Sequence, residues 1–210
     1  HDRARPRDSG AKGVGVESLL DLIVGVMPSP ADMPAAVGTK PRSEDQITRS
    51  CDPRGPFTAH VFKTVAEQHV GELSYFRVYS GSAGSGTEVL NATNDHSERM
   101  GTVYAMTGRE RSEMESVSAG DIGAVVKLKS THTNDTLCVK SDPIILRPIE
   151  FPKAVLSVAV KAKSSGDEDK VSAGLQKLHD EDPTFSVVFD SNLKQTIISG
   201  LGNLHLDVMV

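Results

Sequence analysis

The sequence predicts a multi-domain α+β protein, in which antiparallel strands forming a sandwich or barrel precede a β-α-β-β-α unit. Two changes of hydrophobic period support this prediction. From Phe57 to Arg147, short segments rich in Val, Ile, Tyr and Phe alternate apolar and polar residues, and clusters of turn residues separate them. Short strands at this spacing are typical of antiparallel sandwiches and barrels. After Pro148, strand and helix patterns follow one another in the order of a split β-α-β domain.

Composition narrows the classes of protein that the chain can represent. Its 210 residues carry a net charge of −5, from 23 basic and 28 acidic residues. Free-standing nucleic-acid-binding domains usually have a basic surplus, so any such contact must use a local basic face. No apolar run is long enough to span a membrane, and the first ten residues lack the apolar centre of a secretory signal. We therefore expect no membrane partner and a cytoplasmic protein.

Two cysteines, Cys51 and Cys138, are too few for a disulfide scaffold or a four-cysteine zinc site. His205 and Asp207 are the best candidate metal ligands, but two groups do not complete a site, so we predict no metal. An enzyme built on the barrel alone is a further hypothesis. The G-x-S-x-G sequence of a nucleophile elbow does not occur in the chain, which gives that hypothesis no support.

The N-terminal part of the chain predicts one helix and a connector. Residues 1–12 are polar and without periodicity. Residues 13–27 form a predicted helix that Pro28 ends, and its apolar stripe consists of Val16, Leu19, Leu20, Ile23, Val26 and Met27. This stripe requires a partner. Residues 28–56 hold six of the eleven prolines, which indicates an extended connector rather than a core.

The glycine-rich segment GSAGSGT (81–87) has the glycine spacing of a phosphate-binding loop. That motif requires Lys followed by Ser or Thr after the second glycine, and here Thr87 follows directly. The segment also joins two predicted strands. We therefore predict a hairpin turn, for which glycine supplies the positive φ.

The C-terminal part predicts a strand at 153–163, a helix at 167–183, two strands at 184–190 and 195–199, and a second helix that begins in GLGNLHLDVMV. Val171, Leu175 and Leu178 form the apolar stripe of the first helix. A split β-α-β domain has one more strand, so we expect the domain to continue beyond Val210.

Four basic residues lie among the alternating apolar residues of the predicted strands. If they occupy strands, their side chains share exposed faces, because alternate strand residues point to opposite sides. A basic face of this kind suits a phosphate backbone. The four residues are Lys63, Arg77, Lys127 and Lys129.

Several segments, in one order and at similar spacing, resemble the elongation factor G family of translational GTPases. ELSYFRVYSG (72–81) resembles the FFRVYSG strand of that family's second domain. LQKLHDEDPTF (175–185) and QTIISGLGNLHLDV (195–208) resemble its third-domain segments LQKLAEEDPTF and QTIISGMGELHLEI. Shorter matches are AGDI at 119–122, DTLC at 135–138 and EFP at 150–152.

The resemblance implies a domain arrangement. Residues 1–30 would be a remnant of the GTPase domain, with its C-terminal helix at 13–27, and residues 31–56 a linker. Residues 57–148 would form an antiparallel β-barrel of the translation-protein type. Residues 149–210 would form a ferredoxin-like third domain that lacks its last strand.

The resemblance also implies a function. The intact protein would bind GTP and Mg²⁺ and couple GTP hydrolysis to movement of tRNA and mRNA on the ribosome. The P-loop, switch segments and N-K-x-D motif are missing here, so we expect no cofactor and no GTPase activity in this chain. Its partners would be the small ribosomal subunit, ribosomal RNA and the remaining domains of the parent protein, and its role ribosome binding and interdomain relay.

Two groups of site residues follow from the resemblance. In the barrel, the segment expected near ribosomal RNA contains Arg77, Tyr79, Ser80 and Gly81. In the third domain, the wall of the pocket that fusidic acid occupies in this family would contain Pro152, Asp182, Pro183, Thr184, Leu204 and His205.

Two positions depart from the family pattern. Asn203 stands where the family usually has Glu, and Ala154 where many members have Pro. These departures fit a divergent paralogue of elongation factor G, or a related ribosomal-protection protein, as well as the housekeeping factor. The alternative is a related factor that protects the ribosome from tetracycline. Whether the parent acts in elongation, recycling or drug protection stays open at this point.

Overall fold

The computed structural model describes residues 10–67, 71–164 and 166–210. The chain divides into two compact units, His1–Pro34 and Ala35–Val210. The first unit contains helix α1 (Val16–Val26), which confirms the helix predicted at 13–27. Gly15 precedes the helix in the left-handed conformation with φ 78°, and the Met27 N–H closes it by donating to the Ile23 carbonyl. The apolar side chains of α1 are all at least 40% exposed, so its stripe is not covered within this unit.

The second unit begins, over the residues described, with thirteen antiparallel strands, which confirms the predicted series of short strands. Their bounds are β1 (Ala36–Thr39), β2 (Gln46–Arg49), β3 (Thr58–Glu67), β4 (Gly71–Ser80), β5 (Ser82–Gly84), β6 (Glu88–Asn91), β7 (His96–Arg99), β8 (Val103–Thr107), β9 (Glu110–Met114), β10 (Ser116–Ser118), β11 (Ile122–Val126), β12 (Thr136–Cys138) and β13 (Ile145–Leu146).

Eight of these strands form the barrel sheet, in the order β7-β6-β12-β3-β4-β11-β8-β9. The inward side chains of β3 and β4 include Val61, Phe76 and Val78, each at most 1% exposed. Strands β6, β8, β11 and β12 contribute further inward apolar residues to the same core. The alternation that predicted strands therefore also fixed which side of each strand faces the core.

The prediction of a linker over 31–56 is wrong for part of this segment, because β1 and β2 lie within it. β1 pairs with β2 on one side and with β13 on the other. The resulting sheet packs on the barrel through a second apolar cluster that includes Ile144 and Leu146. Gly38 permits this packing, since a Cβ there would lie 2.4 Å from the Ile145 carbonyl oxygen. The high proline content of this segment indicated a connector, although two short strands occur within it.

The predicted hairpin at GSAGSG differs from the observed structure. β5 lies within it and pairs with β10, forming a two-stranded sheet of its own. The segment therefore links β4 to β6 through a third strand instead of joining two partners directly. Gly81, with φ 71°, makes the sharp turn between β4 and β5.

The rest of the second unit has the predicted β-α-β-β-α order. Its elements are β14 (Leu156–Val160), α2 (Glu168–Glu181), β15 (Ser186–Asp190), β16 (Gln195–Gly200) and α3 (Asn203–Met209). The sheet order is β14-β16-β15. Four buried residues form the centre of this domain: Leu175, Phe185, Ile198 and Leu206.

Candidate functional site

Strand β4 presents three polar or aromatic side chains on the outer face of the barrel. Tyr75, Arg77 and Tyr79 are half-buried and alternate with the buried residues Phe76 and Val78. They therefore lie on one side of the strand, opposite the core. Arg77 lies opposite His60 of β3 on one side and Ile122 of β11 on the other. Tyr75 lies opposite Lys63 of β3.

Each of the two outward cations lies against a tyrosine ring. The Arg77 Cζ is 5.4 Å from the centroid of the Tyr79 ring, and the Lys63 Nζ is 5.9 Å from that of Tyr75. The register of β3 shifts between Val61 and Lys63, which places Lys63 opposite Tyr75. Cation–π contacts favour these positions of the two charges and leave their hydrogen-bond donors available. We call Lys63, Tyr75, Arg77 and Tyr79 the basic–aromatic face.

His60 lies beside Arg77 and is only 5% exposed. Burial lowers the pKa of its imidazole and outweighs the opposing effects of Asn134 and Asp135. The ring is therefore neutral at neutral pH. Its Nε2 lies 3.3 Å from the Asn134 carbonyl oxygen, which can only accept, so Nε2 carries the proton and Nδ1 is an acceptor.

The third tyrosine of the chain shares the same outer side of the sheet. Tyr104 on β8 pairs with Ala124 on β11, and Ala124 also pairs with Tyr75. All three tyrosines in the sequence therefore lie on one side of the barrel. Neither Tyr104 nor His60 is among the site residues predicted from the sequence, although their alternation with buried neighbours indicates their orientation.

Lys127 and Lys129 are not on a strand, contrary to the prediction. β11 ends at Val126, and Lys127 adopts a left-handed conformation with φ 63°. The Lys127 N–H donates to the Glu72 carbonyl, and the Lys129 N–H donates to the Glu98 carboxylate at 3.2 Å. Both ammonium groups are therefore carried by the loop after β11, beyond the basic–aromatic face.

Ser80 and Gly81, the other two predicted RNA contacts, are buried, which removes them from the outer surface. Gly81 has a structural role. With φ 71°, it packs so closely on the preceding segment that a Cβ would lie 2.5 Å from the Phe57 nitrogen. Of the barrel residues suggested by resemblance, Arg77 and Tyr79 alone are on the basic–aromatic face.

In the third domain, three of the predicted pocket residues are joined by hydrogen bonds. The Thr184 N–H and hydroxyl both donate to the Asp182 Oδ1, at 2.7 and 2.6 Å. The His205 Nε2 lies 3.0 Å from the Asp182 Oδ2. The Leu201 N–H donates to the His205 Nδ1 at 2.9 Å, so the neutral ring carries its proton on Nε2 and donates it to Asp182. We call Asp182, Thr184 and His205 the polar clamp.

The clamp changes the acidity of Asp182. Burial alone would raise the pKa of this carboxyl group, but hydrogen bonds from Thr184 and His205 stabilise the carboxylate more strongly. The net result is a pKa below the ordinary value of 3.8. Because both ring nitrogens of His205 are engaged and Asp207 is exposed, the pair considered as metal ligands does not come together as a site.

The other predicted pocket residues lie outside this hydrogen-bond network. Pro183 is exposed between the two clamp residues of its loop, and Leu204 is 78% exposed on α3. Pro152 is exposed in the segment that precedes β14. Beside the clamp, Glu181 ends α2, and its Oε1 accepts from the Ala66 N–H of β3 at 2.7 Å. The end of α2 thus contacts both the barrel and α3.

Two family models match the chain over most of its length. The model of elongation factor G domain 2 matches residues 56–140, and that of elongation factor G domain III matches residues 151–210. The chain belongs to the elongation factor G family. The fold agrees with this assignment, since a barrel precedes a ferredoxin-like domain in the matched order.

The chain is also similar to a solved structure, a crystal structure of a protein from Thermus thermophilus. The two share 26% sequence identity with a TM-score of 0.76. The alignment covers 96% of this chain but 28% of the Thermus chain. The chain therefore spans somewhat over a quarter of the length of the Thermus protein.

None of the helices in the ranges 10–67, 71–164 and 166–210 is long and apolar enough to cross a membrane. Within the same ranges, His, Cys, Asp and Glu side chains form no group of three with the geometry of a metal site.

Proposed function

We propose that this chain is the ribosome-binding and interdomain relay part of an elongation factor G-type translational GTPase. The observation that carries the proposal is the basic–aromatic face, on which Lys63 and Arg77 are held against tyrosine rings in a domain of this family. The partner that suits this face is ribosomal RNA of the small subunit, because a phosphate backbone is its natural complement.

The chemistry of Arg77 suits a phosphate group. Its guanidinium presents a planar fork of donors that matches two phosphate oxygens, and stacking on Tyr79 restricts its orientation. A chain with a net charge of −5 must bind RNA through such a local face. The acidic remainder of the chain then disfavours nonspecific contacts with nucleic acid.

The relay role depends on the end of α2. Glu181 bonds to the barrel strand β3, and the next residue, Asp182, bonds to Thr184 and to His205 on α3. A displacement of α2 relative to the barrel must break or stretch the first bond, and a displacement relative to α3 must affect the second. Adjacent residues thus couple the barrel to the third domain.

We expect the parent protein, and not this chain, to bind GTP and Mg²⁺. We therefore expect no GTP hydrolysis by this chain alone. The chain has no lysine-containing phosphate-binding loop, and phosphoryl transfer requires groups that hold the β- and γ-phosphates and the metal. GTP turnover by the purified chain should therefore equal that of a buffer control. Turnover that survives further purification would contradict this assignment.

The ribosome contact is tested by measuring the affinity of the chain for small subunits as salt increases. We expect affinity to fall steeply between about 50 and about 200 mM salt, and Arg77→Ala to lower affinity and reduce the salt slope by about one. Arg109→Ala is the matched control, since Arg109 is exposed in the turn between β8 and β9. Salt-independent binding, or equal loss from both variants, would contradict the proposal.

A further inference from the structure

A small pocket opens beside the basic–aromatic face, between the barrel and the sheet that contains β1 and β13. Its volume is about 180 Å³. The residues that line it come from four strands and from the residue after β13, and they are Ala36, Val37, His60, Tyr79, Leu146 and Arg147. Binding sites for drug-sized molecules begin at about 300 Å³, so this pocket suits a single planar ring system.

The walls of the pocket combine apolar, aromatic and polar groups. Leu146 and Ala36 pack with Tyr79 in one apolar cluster, which fixes the tyrosine ring. His60 is buried and supplies a neutral imidazole whose Nε2 is engaged by Asn134. Val37, 48% exposed, forms the rim. Such a site offers stacking and one polar edge, the two features by which proteins recognise an extruded base.

Two arginines border the same pocket. Arg77 stacks on the Tyr79 ring and pairs across strands with His60, so it adjoins two lining residues. Arg147 is itself a lining residue, and its ion pair with Glu150 at 3.4 Å joins two side chains that are more than 80% exposed. Exposed ion pairs of this kind are weak, so Arg147 can exchange its partner for a phosphate.

We propose that the pocket takes the base of one unpaired ribonucleotide, stacked against Tyr79, while Arg77 and Arg147 contact the phosphates on either side. This inference rests on the proposed function and specifies the RNA feature that is recognised. Duplex RNA does not satisfy the site, because its bases are stacked within the helix and its major groove is too narrow for side chains.

Tyr79 and Val37 allow the pocket to be tested without altering the charges. Tyr79→Leu removes the stacking surface, and Val37→Phe fills the rim from an exposed position that leaves the barrel core intact. Tyr104→Leu is the matched control, since Tyr104 lies on the same side of the sheet but does not line the pocket. Circular dichroism spectra show whether each variant folds. If Tyr79→Leu does not fold, Val37→Phe still tests the pocket.

The probe is a fluorescein-labelled single-stranded oligoribonucleotide, compared with a hairpin of the same composition. We expect the single strand to bind more tightly than the hairpin. Tyr79→Leu and Val37→Phe should each weaken single-strand binding about tenfold, while Tyr104→Leu leaves it unchanged. With 5-iodouridine in the single strand, ultraviolet irradiation should give an adduct at Tyr79.

The results separate this inference from the proposed function. If Arg77→Ala weakens small-subunit binding but the two pocket variants do not, or if the hairpin binds as well as the single strand, the pocket inference is wrong and the proposed function stands. Absence of the 5-iodouridine adduct at Tyr79 has the same meaning. If the chain does not bind small subunits at all, both are wrong.

Discussion

The barrel and the third domain differ in how completely they bury their apolar side chains. In the barrel, Val61, Phe76 and Leu137 have no exposed surface. Among the described residues of the third domain, four apolar side chains are buried, whereas Val188 and Phe189 are 61% and 65% exposed. Burial of apolar area is the main source of stability, so the barrel should be the more stable of the two.

The same comparison explains where polar groups matter. The barrel has a large apolar core and also buried polar side chains, among which Asn91 donates to the Asp135 carboxylate at 2.8 Å. The third domain places a carboxylate, a hydroxyl and an imidazole together where α2 meets β15 and α3. With a smaller apolar core, this domain should depend strongly on its polar clamp.

The chain allows the two regions to be observed separately. It has no tryptophan, and its three tyrosines are Tyr75, Tyr79 and Tyr104, all in the barrel. Tyrosine fluorescence therefore follows unfolding of the barrel. The methyl NMR signals of Ile198 follow the third domain, because this residue is at the centre of its core.

The largest expected effect comes from the barrel core. Phe76→Ala should reduce the free energy of unfolding by about 3–5 kcal/mol, since it removes a fully buried ring and leaves a cavity. Phe189→Ala, which truncates a phenylalanine that is 65% exposed, should change it by less than about 0.5 kcal/mol. Urea titration checks both values. Similar losses from both variants would show that the two regions do not differ in burial.

The polar clamp should give an intermediate effect. Asp182→Asn places an amide where the carboxylate accepts from Thr184 and His205, which should destabilise the third domain by about 1–3 kcal/mol. Ile198 methyl signals during urea titration measure the loss. Asp207→Asn is the control, since Asp207 is exposed on α3, and it should have little effect.

The clamp also predicts a dependence on pH. The pKa of Asp182 is lowered in the folded state, so its contribution to stability is fully present above its ordinary pKa of 3.8 and is lost as the pH falls through the lower, folded value. The difference in free energy of unfolding between the unsubstituted chain and Asp182→Asn should therefore shrink in that acidic range. A difference that is constant from neutral pH down through this range would mean that the carboxylate is not selectively stabilised.

The smallest expected effect is on the contact between the two regions. Glu181→Ala removes the acceptor of the Ala66 N–H and should weaken the coupling by about 1 kcal/mol or less, because the bond is exposed to solvent. The sensitive measurement is hydrogen exchange of the Ala66 amide, which should become faster. Glu168→Ala, at the opposite end of α2, should leave it unchanged. Unaltered exchange in Glu181→Ala would show that this bond does not protect the amide.

Local pattern determined much of this molecule. The 3.6-residue period predicted α1 and α2, and the two-residue period predicted the barrel strands and the outward direction of Lys63 and Arg77. These features depend on neighbours within one element, which a sequence contains directly. The same reasoning placed Lys127 and Lys129 on a strand, because apolar alternation continues past Val126 although the backbone turns there.

Tertiary structure decided the features that join distant segments. β1 forms because it pairs with β13, with Gly38 opposite Leu146. No local pattern in this proline-rich segment predicts that pairing. The motifs grouped Asp182 with His205, but the bond between them depends on how α3 packs after β16. The pocket beside Tyr79 is assembled from β1, β3, β4 and β13. The sequence thus determined which residues face outward, whereas packing decided which of them meet, because contacts between remote segments depend on the whole fold.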